Sequence, residues 1–318
     1  MTTSRSGELA PQAARQVGST SAPVAISLQG LTKTFGAVRA VRGIDLTIRQ
    51  GEVVAFLGPN GAGKTTTIDM ILGLAEPTSG TARVFGLEPH DAIRHGLVSA
   101  VMQTGGLLKD LTVRETLDYT ASLFAHSVPV AEILTTAGLT ELASRPVGKC
   151  SGGEQQRLRF GMALVSDPEL VILDEPTTGM DVTSRRAFWE KIHADAQKGR
   201  TVVFATHYLE EADLYADRVV LVRTGEIVAD GTAAEIKALG AGRAVRATWP
   251  GVNADEVRGI PGIDGVDVIG DTVTIHAADS DAVARHLLTA TPARDLEITA
   301  RGLEDAFVAL TTERTQEN

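Results

Sequence analysis

The sequence contains one cysteine, Cys150, so no intramolecular disulfide staples the fold, and this usage suits a reducing compartment. Long hydrophobic runs are missing as well. No apolar stretch approaches the ~18 residues of a transmembrane helix; the longest, such as Val53–Leu57 and Leu170–Leu173, have the length of buried strands. Positive charge is in deficit. Thirty Lys and Arg stand against 40 Asp and Glu, a net charge of −10, which argues against a chain built to coat nucleic-acid phosphates. No internal repeat is visible. Residues 1–24 are rich in Ser, Ala and Gln and lack the apolar segment of a signal peptide, so they read as a disordered leader. What remains is a chain of 318 residues, 43% hydrophobic and 22% charged, with enough apolar material for about two globular domains.

The pattern that is present is an alternation of strands and helices. Ile44, Leu46 and Ile48 alternate with Asp45, Thr47 and Arg49, the period of a half-buried strand. Val53–Leu57, Leu170–Leu173, Thr201–Ala205 and Val219–Val222 are continuous apolar runs, as expected of strands covered on both faces. Thr65–Leu74 and Ser184–Ala196 have helix length between them. This order predicts an α/β core with a largely parallel sheet over residues 25–239. From about 104 to 167 the strand signal gives way to helices at Val113–Phe124, Val130–Ala137 and Glu154–Ser166, a helical insertion. Gly240-Ala241-Gly242 reads as a hinge. Residues 243–312 then carry β-α-β-β-α-β-α: strands Val245–Trp249, Val266–Ile269, Thr272–His276 and Leu296–Thr299, with helices Ala254–Arg258, Asp281–Thr289 and Leu303–Thr311. That is a small α+β accessory domain in a ferredoxin-like order plus one helix, with a hairpin at Gly270-Asp271 and a tail over 313–318.

The chemistry concentrates in two places. Gly58-Pro59-Asn60-Gly61-Ala62-Gly63-Lys64-Thr65-Thr66 fits the phosphate-loop pattern and lies between a buried strand and a helix, as that pattern requires. The glycines let backbone N–H groups turn inward onto phosphate oxygens, and the helix adds its positive end. Gly58, Asn60, Gly61, Gly63 and Thr66 are thus candidate nucleotide contacts. Lys64 would reach the β- and γ-phosphates, and the Thr65 hydroxyl would ligate Mg²⁺. Asp174 and Glu175 follow the apolar run Leu170–Leu173, at the strand end where open α/β sheets bind ligands. Asp174 is placed to hold the metal and Glu175 to act as general base on the attacking water.

Ser151-Gly152-Gly153-Glu154-Gln155 lies between the phosphate loop and the acid pair. Ser-x-x-Glu is a capping box, and Gly152 and Gly153 leave the first helical N–H groups bare for an anion. With these motifs in this order, the chain resembles the ATP-binding-cassette (ABC) proteins. The resemblance covers roughly Ile26 to Leu239 and implies a P-loop NTPase cassette: a RecA-like core with an antiparallel β subdomain and a helical subdomain. It also implies roles for further residues. Gln103 would contact Mg²⁺ and the attacking water, Asp181 would lie in the loop crossing a dimer interface, His207 would touch the γ-phosphate, and Phe35 would stack on adenine.

By the same resemblance the cofactors are ATP and Mg²⁺, and two copies pair head to tail. Each ATP then lies between one copy's phosphate loop and the other's Ser151–Gln155 segment. A separate multi-span transmembrane permease would be gripped by the surface from Gln103 to Asp118, which places the chain at the cytoplasmic face of the membrane. No nucleic-acid partner is expected. Ile298–Phe307 resembles the extension of drug- and antibiotic-resistance exporters of the daunorubicin type. Two departures stand out: Cys150 and Glu154 occupy places where the family carries leucine and glutamine. The alternatives to an exporter subunit are a soluble cassette ATPase acting on a ribosome or DNA, and a nucleotide-binding regulator.

Overall fold

The computed structural model describes residues 22–102, 106–239, 243–300, 302–304 and 306–307. Most of the leader, Gln103, the hinge 240–242, the end of the last helix and the tail 313–318 lie outside the described residues.

The chain opens with an antiparallel hairpin of β1 (Val24–Phe35) and β2 (Val38–Arg49). β3 (Val53–Leu57) and α1 (Lys64–Ile71) follow, and β4 (Ser79–Val84) returns to complete a three-stranded sheet in the order β2-β1-β4. α2 (Pro89–Arg94) leads into β5 (Val98–Val101). The helical segment contains α3 (Val113–Ala121), α4 (Val130–Thr136) and α5 (Gly152–Ala163), with no strand among its described residues. The chain then returns through β6 (Leu170–Asp174), α6 (Val182–Ala196), β7 (Thr201–Thr206), α7 (Leu209–Tyr215), β8 (Arg218–Arg223), β9 (Glu226–Gly231) and α8 (Ala233–Leu239). The main sheet runs β5-β6-β7-β3-β8-β9 and is parallel except for the β8–β9 pair.

The apolar runs have a physical reason. In β3, Val53, Ala55 and Leu57 enter one core, whereas Val54 and Phe56 enter another on the opposite face. Val171 and Leu173 of β6 and Val202 and Phe204 of β7 divide from Leu170, Ile172, Val203 and Ala205 in the same way. Side chains alternate across a strand, so a sheet covered on both faces needs apolar residues at every position. Each fully buried Val, Leu or Phe contributes roughly 1.5–3 kcal/mol. The register then builds the site. Leu57 pairs with Thr206 and Asp174 with Ala205, so β3, β7 and β6 end side by side on one edge of the sheet.

After residue 242, β10 (Arg243–Thr248), α9 (Ala254–Arg258), β11 (Ile263–Ile269), β12 (Thr272–Ala277), α10 (Ser280–Ala290) and β13 (Arg294–Ala300) form a separate sheet in the order β11-β12-β10-β13. Every pair is antiparallel, so β12 sits between β10 and β11, a split β-α-β with its own core around Val245, Trp249, Ile275 and Leu287. Leu303 and Ala306 do not join that core. They pack with the cassette core that holds Leu158, Trp189 and Ile236.

Several boundaries differ from the sequence-based expectation. α1 ends at Ile71, before Gly73 at φ 64°, and α5 begins at Gly152 because Ser151 caps it. β4, α2, α7, β9 and α8 carry no periodic signal long enough to predict; in β4 only Ala82 and Val84 are buried.

Candidate functional site

The phosphate loop folds as it does because two of its glycines leave no room for a side chain. Gly58 has φ 158°, and a Cβ there would strike the Val222 carbonyl oxygen. Gly63 has φ 100°, and a Cβ there would strike the Ala40 carbonyl oxygen. The loop is therefore clasped between β2 and the β8–β9 turn, where Gly225 N–H donates to the Ala62 carbonyl at 2.8 Å and Arg42 N–H to the Gly225 carbonyl at 2.8 Å. Lys64 bends back into the loop, its Nζ donating to the Gly58 carbonyl at 2.5 Å and the Pro59 carbonyl at 3.2 Å.

A cavity of about 490 Å³ opens over this loop. Asn60, Gly61, Gly63, Lys64, Thr65, Thr66, Asp174 and Glu175 all line it. Burial pushes the Lys64 ammonium below its usual range, with Glu175 and Asp174 pulling it back. Asp174 is 6% exposed. Burial lifts its carboxyl, Glu175 beside it adds to the rise, and Lys64 opposes it. A further cation brought against the buried Asp174 carboxylate would oppose its rise in the same sense as Lys64 does. Thr65 lines the same cavity, so its hydroxyl and the Asp174 carboxylate would offer hard oxygens of the kind magnesium takes beside substrate phosphates.

Glu175 stands at φ 50°, a backbone region non-glycine residues seldom enter, held by its N–H donating to the Ala205 carbonyl at 2.9 Å. This turn aims its carboxylate at His207, whose Nδ1 lies 2.7 Å from Glu175 Oε2. His207 follows β7 and is half exposed.

The remaining predicted residues lie elsewhere. Phe35 ends β1, 53% exposed, with the Lys33 ammonium 5.0 Å from its ring centre. It does not line the cavity, although its hairpin partner Val38 does. None of Ser151, Gly152, Gly153, Glu154 or Asp181 lines it either. They form a second locus, where the starts of α5 and α6 meet: a Cβ on Gly153 would come within 3.1 Å of the Ser184 Cβ. Asp181 caps α6 through Ser184 N–H at 2.9 Å, and this hydrogen bond holds its carboxyl below the usual range.

The α5 capping box is complete. Ser151 Oγ accepts from Glu154 N–H at 3.2 Å, and Glu154 Oε2 accepts from Ser151 N–H at 2.7 Å. Glu154 Oε1 meets Arg145 at 2.9 Å. Desolvation raises the Glu154 carboxyl, but the Ser151 and Arg145 contacts together bring it below its ordinary value. The extra negative charge is therefore folded back into the cap and paired. Ser151→Ala removes the acceptor and is expected to lower stability by about 0.5–2 kcal/mol, read as a lower urea midpoint with an unchanged slope.

Some site residues carry no local sequence signal. Arg39, Arg42 and Thr224 line the cavity, delivered by strand pairing and by the β8–β9 turn. Arg145 sits outside any motif, and only the fold brings it to Glu154.

Comparison with known proteins gives a consistent picture. A family profile described as "ABC transporter" matches residues 41–178. The chain is similar to the Nod factor export ATP-binding protein I of Burkholderia lata, with 34% identity over 306 residues, covering 93% of this chain and all of that protein. It is 40% identical over 222 residues to the daunorubicin/doxorubicin resistance ATP-binding protein of Streptomyces peucetius, covering 67% of each. Among solved structures, an ATP-binding subunit of an ABC transporter superposes with a TM-score of 0.60 at 28% identity, covering 67% of this chain and 92% of that one. A dimeric post-hydrolysis ATP-binding cassette bound to ADP and Pi gives 0.58 at 26% identity, covering 65% and 98%.

Proposed function

Since the chain belongs to the ABC transporter family, as an ATP-binding subunit with the ABC ATPase fold, we propose that it hydrolyses ATP to power an exporter, using the residues gathered at the sheet edge. The observation that carries this reading is the 2.7 Å contact of His207 with Glu175 beside the cavity lined by Lys64 and Asp174. On binding, the triphosphate takes over the Lys64 ammonium from the loop carbonyls and meets the inward N–H groups of the phosphate loop. Glu175 accepts the proton of the attacking water, and His207 fixes the orientation of that carboxylate. Thr65 and Asp174, with Gln103 from the resemblance, would hold Mg²⁺, which when bound neutralises charge on the β- and γ-oxygens. Phe35, whose hairpin partner Val38 lines the cavity, would offer a π face to the adenine.

The separation of the Ser151–Glu154 locus from the chain's own cavity supports a head-to-tail pair, in which this segment and Asp181 complete the site of a second copy. Among the described residues no helix is long and apolar enough to cross a membrane. By the family assignment, the work would be delivered to a separate multi-span permease, with this chain at the cytoplasmic face. The surface after residue 105 suits that contact: Leu108 is exposed, and an apolar groove of about 320 Å³ runs between Val101, Leu107 and Met162. The names of the relatives, Nod factor export and daunorubicin/doxorubicin resistance, favour export, and the cargo on this reading would be a drug, antibiotic or lipid-like molecule. Expressed with its genomic neighbours and extracted in mild detergent, the chain is expected to co-purify with a multi-span membrane protein. Persistent recovery without one would remove the exporter reading.

A further inference from the structure

The buried carboxylate of Glu211 takes no part in the chemistry above. Glu211, in α7, is 2% exposed, whereas its neighbour Glu210 faces solvent. A buried carboxylate costs stability unless its oxygens are matched, and here both are. Oε1 accepts from the Thr177 hydroxyl and lies 3.4 Å from Arg185 Nε. Oε2 accepts from the Thr206 hydroxyl at 3.0 Å. The same Thr206 oxygen accepts from Tyr208 N–H at 3.0 Å, so the chain on both sides of His207 is fixed.

The partners come from three segments. Thr177 lies between Glu175 and Asp181, in the turn that sets the general base. Thr206 immediately precedes His207. Arg185 is in the first turns of α6, its N–H donating to the Asp181 carbonyl at 2.9 Å, and its guanidinium stacks 4.5 Å from the Tyr208 ring centre. Tyr208 in turn lies 4.1 Å, centre to centre, from the His207 ring. Without Glu211, the turn bearing Glu175 and the strand end bearing His207 lose their shared side-chain anchor.

We propose that Glu211 is a positioning residue for hydrolysis, tying the Glu175–Asp181 turn to the His207 segment so that the base and its histidine keep their register. The proposal rests on the assignment of Glu175 and His207 above. It also gives the pair a mechanical link to Asp181 through Arg185, so a displacement of the start of α6 reaches His207. A contact made only to orient reacting groups acts on turnover rather than on nucleotide affinity.

The test uses the full chain and three changes: Glu211→Gln, Thr177→Val and Thr206→Val. Phosphate release yields kcat and KM, and a trinitrophenyl-ATP titration yields affinity. Glutamine accepts from one hydroxyl where the carboxylate accepts from two. Glu211→Gln is expected to lower kcat about tenfold or more, with KM and affinity within about twofold. The two threonine changes are expected to be non-additive in kcat, because either one breaks the same bridge. Should Glu211→Gln fail to fold, the threonine variants decide on the same criteria, since they leave the Arg185 ion pair in place. Wild-type kcat in folded variants, parallel losses of kcat and affinity, or additive threonine effects would overturn the proposal. A wild-type chain that binds ATP but releases no phosphate would instead overturn the functional reading itself.

Discussion

Glu175→Gln is expected to stop ATP turnover while leaving ATP affinity close to that of the wild type. The two side chains have the same shape, and the Glu175 backbone at φ 50° is held by a main-chain bond to Ala205 that the substitution does not touch. What disappears is the ability to accept a proton from water, which contributes about 10²–10⁴-fold to such reactions. Lys64, the phosphate loop and Asp174 remain, so binding remains. Removing a charge beside Asp174 also removes one cause of that carboxyl's raised pKa. If a pair of copies encloses the nucleotide, the variant has no route to reopen and collects as an ATP-bound dimer. Phosphate release and size-exclusion chromatography with ATP check both halves. Wild-type turnover in this variant would remove Glu175 from its role.

Lys64→Ala acts earlier in the cycle. It deletes the phosphate contact proposed for this ammonium, and truncating one partner of a hydrogen-bonded charge pair costs about 2–5 kcal/mol. ATP affinity should therefore fall by about 30-fold or more. The empty loop is harmed as well, because the Gly58 and Pro59 carbonyls lose their donor and Asp174 loses the cation that opposes its rise in pKa. A fluorescent-nucleotide titration measures the loss, and undiminished affinity would contradict the assignment. Mixing this variant with a Ser151 variant carries further information. If one copy's phosphate loop faces the other's Ser151, a mixed pair contains one intact site, and turnover should recover partly. Mixtures no better than either variant alone would argue that sites are not shared.

How much of this could be read from residues alone depends on the range over which each constraint acts. The phosphate loop is legible because its needs are local: glycines where the chain passes close to Val222 and Ala40, a lysine long enough to turn back, a hydroxyl at the helix start. Asp174 is legible because an apolar strand must end somewhere, and the acids mark that end. Arg39, Arg42 and Thr224 reach the cavity only through strand pairing. Glu211 is less legible still, since Glu210 and Glu211 are chemically identical and only the phase of a seven-residue helix decides which is buried. β4 is barely legible because an edge strand half open to water needs few apolar residues, here Ala82 and Val84.

The packing of Leu303 and Ala306 into the cassette core has a mechanical consequence. A segment joined to the cassette only at its first residue would swing like a flag on a pole, and movements at the nucleotide would die out at the joint. Here the chain leaves the cassette after α8, builds the sheet from β10 to β13, and then returns to seat two side chains, Leu303 and Ala306, in the cassette core. A panel fastened along two edges turns with its frame. Whatever surface the second sheet presents, its orientation is geared to the cassette that holds the nucleotide.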